Sequence, residues 1–365
     1  MDKLLYPNLP NLESRMNLVE SHKVAGLARL RHEYQKFVDA DWRNRIFLVR
    51  RAVFWCIRRV TVKILSVLVG LPLLEVGRLV RPFVAVGIGM LRYDRLGHLV
   101  ANTEFWLRRR SLRKDHSREI NLLLTGRPAN RQVLTMIKRR VTVWESNLLL
   151  ELYRELKNRR QNSPIWIDLG TTGWIDLGTT GANLREIWNC AGPQMSFTPD
   201  EHRQGERILR SLGIVPGEPF VCFCSRDRAY LETVHNYRTR DQWSYHDYRD
   251  CDINNYLPAA EFLATQGLWA LRMGAVVEKP IKSSQPRVID YATKFRSDFA
   301  DVYLMAHCKF FIGSTAGNLC LSNAFNVPCA LANIVPLGYI SVSPKDLFIP
   351  KKYRHAESRR FLTFR

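Results

Sequence analysis

The sequence lacks any cysteine pair with Cys-x-x-Cys spacing, although it contains eight cysteines in 365 residues. None of the eight has a histidine at the spacing of a zinc site, so these residues predict no metal centre. Most of them lie in apolar runs, which predicts buried free thiols in a reducing compartment rather than disulfides. We therefore expect a cytoplasmic location and no metal held by cysteine.

Long uncharged apolar runs are also missing. The longest, ILSVLVGLPLL at residues 64–74, is shorter than the roughly 20 residues of a membrane-spanning helix. Acidic residues are few: the sequence contains 34 Asp and Glu but 55 Lys and Arg, which gives a net charge of +21. Such an excess predicts an anionic partner: nucleic acid, an acidic lipid surface or a phosphorylated substrate.

The stretch from position 42 to position 74 contains no acidic residue at all. Apolar residues recur there at steps of three and four, which predicts an amphipathic helix that Pro72 ends. Two interpretations are open: the helix lies on the inner face of an anionic membrane, or it packs on the protein with its cations solvated. Four aromatic residues favour the first interpretation, in which the helix lies on a membrane. We assign residues 1–81 as a basic amphipathic N-terminal segment. The apolar stripe is Ile46, Val49, Val53, Ile57, Val60, Ile64 and Val67, the cations are Arg43, Arg45, Arg50, Arg51, Arg58, Arg59 and Lys63, and the aromatic residues are Trp42, Phe47, Phe54 and Trp55.

Two α/β regions follow this segment. Residues 82–195 and residues 196–365 each alternate fully apolar strand patterns with helical patterns, which is typical of parallel sheets covered on both faces. The predicted fold class is therefore α/β, with two Rossmann-like domains and a boundary near residues 182–200. Parallel sheets bind ligands at the C-terminal ends of their strands, so we expect the site in a cleft between the two domains.

The strongest local signal is FFIGSTAGNLCLSNAF, residues 310–325, where an apolar strand leads through small residues into a helix. Free N–H groups at a helix start, together with nearby hydroxyls, can hold a diphosphate. The alternative is an ordinary turn in which Ser314 or Thr315 caps the helix. On the first interpretation, Ser314, Thr315 and Gly317 bind an anionic donor.

Two further loops occupy matching positions after the first strand of each domain. In CSRDRAYLE, Arg226 and Arg228 could bind a phosphate, or could pair internally with an aspartate. In RYDRLGHL, the residues Arg95 and Gly97 form a candidate acceptor loop, and His98 and Asp94 are candidates for a general base.

These segments, with NLLLTGRPANRQ, YRDCDINNYLPAAEFLATQG, LRMGA and RSDFADVYLMAHCKFFIGSTAGN, resemble a bacterial family of glycosyltransferases from surface-polysaccharide loci. The resemblance covers residues 83–350, and the second half also resembles the donor-binding half of GT-B glycosyltransferases, including heptosyltransferases and fucosyltransferases. It implies a GT-B architecture, with the nucleotide-sugar in the C-terminal domain and the acceptor in the N-terminal one. It also implies a metal-independent enzyme without a cofactor, in agreement with our interpretation that the sequence lacks a D-x-D motif. It also implies a final helix that crosses back to the first domain, for which SRRFLTFR gives no pattern. By the same resemblance, the donor faces Arg226, Arg272, Ser314, Thr315 and Asn318, and the acceptor faces His98 or Asp94.

The function we expect is sugar transfer from a nucleotide-sugar to a glycan or lipid-linked acceptor. Two alternatives stay open, a nucleotide-sugar epimerase of the same fold and a non-enzymatic binder of anionic lipid or nucleic acid. Against specific nucleic-acid binding, the cations concentrate at residues 43–63 and 108–114 and do not alternate with aromatic residues.

One octapeptide, WIDLGTTG, occurs twice in direct succession at residues 166–181. Two copies are too few for a solenoid, and no helix start follows the first copy directly. We interpret the repeat as a duplication in a tolerant loop of the linker region, away from the strand–helix turns of both sheets, in which each copy could form a short strand and a turn.

Overall fold

A computed structural model of the chain describes residues 37–113, 118–169, 186–234, 240–336 and 343–363. The chain forms two compact units, Met1–Gly70 and Leu71–Arg365. Both sheets belong to the second unit. The domain boundary near residues 182–200 stays a prediction, and residues 182–185 lie outside the described residues.

The N-terminal helix α1 covers Trp42–Leu65 and begins at Asp41, whose carboxylate accepts a hydrogen bond from the Asn44 N–H at 3.0 Å. A π-helical turn, Ser66–Gly70, follows, and helix α2 then covers Leu71–Leu79. The prediction that Pro72 ends the helix is wrong. The wider π-turn lies just before Pro72, where its ring would otherwise clash with the preceding turn, and the helix resumes.

The first sheet has four parallel strands in the order β3-β2-β1-β4. Its strand β1 covers Ala85–Met90, β2 Glu119–Thr125, β3 Thr142–Glu145 and β4 Trp166–Ile167. Helices α3 (Leu96–Ser111), α4 (Arg131–Lys138) and α5 (Asn147–Arg159) connect them. The polar residues Asn130 and Ser146 cap α4 and α5, as their sequences predict.

Strand β4 corrects our interpretation of the octapeptide. Trp166 and Ile167 belong to the first copy, and they pair with Ile88 and Gly89 of β1. A Cβ atom on Gly89 would lie 2.9 Å from the Ile167 Cβ, so the glycine lets β4 pack against this strand. The start of the first copy is therefore an edge strand of the sheet and not part of a linker, while residues 170–181, the rest of the repeat, lie outside the described residues.

The second sheet has six parallel strands in the order β10-β9-β8-β5-β6-β7. Strand β5 (Phe220–Phe223) lies inside the sheet and all four of its residues are buried, because its faces are covered on both sides. The helices that join the sheet's strands fall where the sequence predicts them, and Thr198 and Glu201 form a reciprocal capping box at the start of the first. The other strands are β6 Trp269–Arg272, β7 Val288–Ile289, β8 Phe311–Gly313, β9 Cys329–Ile334 and β10 Leu347–Pro350.

The helices of this part are short, apart from α6. They are α6 Pro199–Ser211, α7 Ala229–Val234, α8 Arg240–Trp243, α9 Leu257–Thr265, α10 Tyr291–Lys294, α11 Asp298–His307 and α12 Gly317–Ala324. The apolar segment RVIDYA contains only the two-residue strand β7, because Tyr291 already begins α10. No helix occurs in residues 343–363, in line with the sequence pattern there.

The predicted fold class is confirmed: two parallel Rossmann-like α/β sheets follow a basic helical segment. Helices from the two sheets share one hydrophobic core, which includes Leu91 and Leu99 of the first part and Leu271 and Leu319 of the second. This shared core holds the C-terminal strand ends of both sheets around a common space.

Candidate active site

A cavity of about 290 Å³ lies where these strand ends meet. Its lining comes from the loops after β1, β2, β5, β6 and β8, with residues such as Arg95, Ala129, Cys224, Met273 and Thr315. The position is the one expected for the ligand site of two facing α/β sheets. The predicted residues Arg95, Gly97, His98, Arg226, Thr315, Gly317 and Asn318 all line it.

The loop from β8 into α12 leaves polar groups without partners. The helix N-cap is Ala316, which makes no side-chain capping bond, so the alternative that Ser314 or Thr315 caps the helix is wrong. Ser314 instead accepts a hydrogen bond from the Arg226 N–H at 3.1 Å. The Thr315 side chain lines the cavity, is 8% exposed, and its Oγ1 has no hydrogen-bond partner within the described residues.

Helix α3 begins at the same cavity and also has no side-chain cap, since its N-cap is Arg95. The two helix starts touch, because a Cβ atom on Gly317 would lie 3.2 Å from the Gly97 backbone nitrogen. The positive ends of two helix dipoles therefore lie side by side. Helices α4, α5, α6 and α11, by contrast, all begin with a capping side chain.

Charge around the cavity is predominantly positive. Four arginines line it (Arg95, Arg226, Arg249 and Arg296), together with the two acids Asp227 and Asp301. Burial and the neighbouring Arg249 charge lower the pKa of Arg226 to about 10, so its guanidinium remains protonated at neutral pH. A site that buries cations beside two helix N-termini favours a compact, multiply charged anion.

Arg226 is paired inside the protein. Its Nη1 contacts the Asp250 carboxylate and donates to the His246 carbonyl at 3.2 Å. Of the two interpretations of this loop, the internal ion pair is thus present, but with Asp250 and not with the adjacent Asp227. Asp227 accepts hydrogen bonds from the backbone N–H groups of Ala229 and Glu278.

The two candidate bases differ in position. His98 lines the cavity, whereas Asp94 is exposed and is not among the lining residues. Burial and the charges of Arg92 and Arg95 lower the pKa of His98, so its imidazole is neutral at pH 7 and can accept a proton. The Asn102 side chain hydrogen-bonds His98 and also donates to the Leu169 carbonyl, within the first octapeptide copy.

Two of the predicted donor residues line a second, more polar cavity of about 360 Å³, which shares Ser225 and Asp227 with the first. Arg228 there pairs with Glu278 at 3.2 Å. Arg272 is buried and pairs with Asp290 at 3.0 Å, while its Nη2 donates to the Lys279 carbonyl. Their role toward a donor stays a prediction.

The same cavity contains the carboxylates of Asp250 and Asp252. These two residues form a D-x-D sequence, so our interpretation that the chain lacks such a motif is wrong. Each is matched by a cation, Asp250 by Arg226 and Asp252 by Lys279 at 2.7 Å. Within the described residues, no group of three or more His, Cys, Asp or Glu side chains is arranged to hold a metal.

Asp301 is a further site residue that sequence reasoning missed. It lies in the first turn of α11, where its carboxylate accepts from the Tyr291 hydroxyl at 2.9 Å and from the Arg296 Nε at 3.1 Å. Burial raises the pKa of Asp301 to about 7 despite the Arg296 charge. Its sequence context, a helix start, predicted a surface aspartate, and only its burial in the cavity wall distinguishes it.

No protein-family model and no curated protein sequence matches this chain. Among solved structures, the chain is similar to a glycosyl transferase family 9 protein from Veillonella parvula, with a TM-score of 0.47 and 9% identity over 74% of this chain and 87% of that one. It is also similar to the Escherichia coli ADP-heptose lipopolysaccharide heptosyltransferase II, with a TM-score of 0.44 and 12% identity over 74% of this chain and 92% of that one. A third similar structure is E. coli heptosyltransferase WaaC with ADP-2-deoxy-2-fluoro heptose. Its TM-score is 0.33 and its sequence identity 12%, over 72% of this chain and 93% of that one. These likenesses are distant, and the function therefore depends on the chain's own site residues.

Proposed function

We propose that the protein is a metal-independent glycosyltransferase that uses a nucleotide-sugar donor. The observation that carries this proposal is the pair of uncapped helix starts, α3 and α12, that meet beneath Arg226 with the unpartnered Thr315 hydroxyl between the sheets. A diphosphate would supply acceptors for the free N–H groups and charge for the two dipoles. The pairing of Asp250 and Asp252 with cations supports binding without a metal.

In the proposed reaction, the bond between the anomeric carbon and the diphosphate oxygen breaks, and a bond from the acceptor oxygen to that carbon forms. Neutral His98 takes the acceptor's proton, and Asn102 orients its ring. The electron pair of the broken bond leaves with the diphosphate, whose charge the helix starts and arginines stabilise. Ser314 positions the Arg226 backbone, while Asn318 and Gly317 border the same anion site.

We further propose that the transferred sugar is a hexose or deoxyhexose and that the acceptor is a glycan carried on lipid, at the cytoplasmic side of a membrane. Six of the eight cysteines are buried or half-buried in α/β cores and all eight are free, which supports a reducing compartment. The basic helix α1 supports a lipid-linked acceptor over a freely diffusing one.

The proposal is tested by calorimetric binding of ADP, GDP, UDP, CDP and dTDP in the presence of EDTA. We expect at least one to bind, and Arg226→Ala to weaken it by about 1.5–3 kcal/mol, the range for a hydrogen bond to a charged group. Thr315→Val, which keeps the side-chain shape, should weaken it by about 1 kcal/mol. Arg287→Ala and Thr265→Val, at exposed sites away from the cavity, are the matched controls.

Binding that needs Mg²⁺ and is lost in Asp252→Asn would contradict metal independence. A donor that is epimerised without an acceptor would establish the epimerase instead. Failure of every nucleoside diphosphate to bind, with the chain folded, would reject the transferase site.

A further inference from the structure

Helix α1 presents the apolar stripe defined above to solvent. Its seven residues, Ile46 to Val67, are each between 45% and 60% exposed. The only buried residue of α1 is Val62, which lies on the opposite side of the helix. Within the described part of the first unit, residues 37–70, the stripe is exposed, which favours the membrane interpretation of the two that the sequence left open.

Cations lie along both edges of the stripe and aromatic rings lie on several sides of α1, with Trp55 on the side of Val62, opposite the stripe. Arg43 lies over the Trp42 ring at 5.3 Å and Arg59 over the Trp55 ring at 5.0 Å. Trp42, Phe47, Phe54 and Trp55 are each 57–66% exposed. Aromatic rings and basic side chains beside an apolar face are the combination that binds the headgroup region of a bilayer.

Other occupants of the stripe fit less well. A second copy of the chain would bring the same seven cations together across a two-fold interface, with no acidic residue between positions 42 and 74 to offset them. By length and composition, one helix among the described residues, Trp42–Leu79, could cross a membrane. Its apolar half, residues 60–77, contains only Lys63 and Glu75, whereas the preceding half contains Arg43 to Arg59. Crossing by the apolar half would leave the stripe residues Ile46 to Ile57 outside the hydrocarbon layer, so a spanning helix would not cover most of the stripe.

We propose that α1 lies in the plane of an anionic bilayer surface, with the apolar stripe toward the acyl chains and the flanking cations on lipid phosphates. The seven cations give the attraction its dependence on anionic lipid, and the apolar stripe provides the depth of insertion. This surface is independent of the nucleotide site.

The test is flotation of the full chain with vesicles of phosphatidylcholine alone or with phosphatidylglycerol added. We expect binding to the anionic vesicles, at least about tenfold weaker binding to the neutral ones, and loss of binding as salt is raised. A stripe variant, Val53→Asp with Ile57→Asp, and a charge variant, Arg50→Glu with Arg51→Glu, should each weaken anionic-vesicle binding by about tenfold or more.

The matched controls are Val215→Asp and Arg207→Glu, both at exposed positions outside α1. All variants should keep the wild-type melting temperature and nucleoside diphosphate binding. Equal binding of wild type and stripe variant would overturn the proposal, as would equal binding to neutral vesicles. So would resistance of the bound chain to alkaline carbonate, the sign of a spanning helix, or a solution dimer that the stripe variant dissociates.

Discussion

The contact between α3 and α12 has uncapped helix starts at one end and a fully partnered arginine at the other. At the cavity end, the helix starts meet through Gly97 and Gly317, without caps and with Thr315 Oγ1 unpartnered. At the far end, Arg108 is completely buried and every guanidinium N–H has an acceptor, although the nearby Glu104 Oε2, Ser322 Oγ and Asn323 Nδ2 have no partner among the described residues. Its Nε donates to Glu104 at 2.8 Å, its Nη1 to the Trp188 and Ala191 carbonyls, and its Nη2 to the Ala324 carbonyl and Asn326 Oδ1.

The difference separates a structural contact from a binding site. The Arg108 guanidinium also stacks over Trp188 at 4.2 Å, so the protein itself supplies all of its partners and ties the two sheets together. At the cavity end, the unused N–H groups are tolerated because an anion can supply what the protein does not. The Arg108 end therefore stabilises the arrangement of α3 and α12 on which the cavity end depends.

The largest expected effect is at the Arg108 end. Arg108→Met should lower the free energy of unfolding by about 3–5 kcal/mol, because it leaves Glu104 buried without its counter-charge and orphans four further acceptors. Chemical denaturation measures this loss, and Arg109→Met, at the exposed neighbour, is the control. Equal stability of the two variants would show that the buried arginine is not what joins the sheets.

The next effect is at the glycine contact. A Cβ at Gly317 would lie 3.2 Å from backbone, whereas a Cβ at Gly97 has only ordinary contacts at 3.4 Å. Gly317→Ala should therefore cost about 1–3 kcal/mol of stability through overpacking and weaken nucleoside diphosphate binding, and Gly97→Ala should cost less. Thermal unfolding measures the stability loss of each variant, and calorimetry measures its nucleoside diphosphate binding. A larger stability loss for Gly97→Ala than for Gly317→Ala would contradict this geometry.

A smaller effect concerns Asp301. Because its pKa of about 7 in the folded chain exceeds that of an unfolded aspartate, protonation stabilises the fold. Wild type should lose stability relative to Asp301→Asn as the pH rises from about 4 to 7, by at most about 1.4 kcal/mol per pH unit. Denaturation at several pH values measures the difference, with Asp200→Asn at an exposed site as control. A difference that does not change with pH would mean that Asp301 is ionised throughout.

The smallest effect is expected for the octapeptide. Deleting residues 174–181 leaves the same sequence as deleting residues 166–173, so one copy remains to form β4 and to place the Leu169 carbonyl against Asn102. Stability and nucleotide binding should stay within about 0.5 kcal/mol of wild type. A large loss of either would show that the second copy has a role of its own.

Several features were predictable because they depend on neighbours in sequence. The alternation of fully apolar runs with helical patterns predicted the two parallel α/β sheets, and the small-residue loop predicted the start of α12. The pairing of the two-residue strand β4 was not predictable, since it depends on glycines in β1 that lie far away in sequence.

For the site, the sequence predicted which loops meet but not how their side chains are used. Arg226 and Arg272 both follow apolar strands, yet Arg226 lines the first cavity, while Arg272 lines the second and is bound to Asp290. Asn102, Arg249, Arg296 and Asp301 carried no sequence signal, because their place in the cavity wall follows from how the two sheets face each other.

The sequence by itself determined the two α/β regions, the basic amphipathic helix and the small-residue loop into α12, since periodicity, charge and chain flexibility are local properties. Only the tertiary structure decided that Thr315 is left without a partner while Arg108 has all of its partners, and that the stripe of α1 is exposed. Those outcomes depend on which distant groups occupy the space around each side chain, and burial makes every unpaired polar group costly unless a ligand completes it.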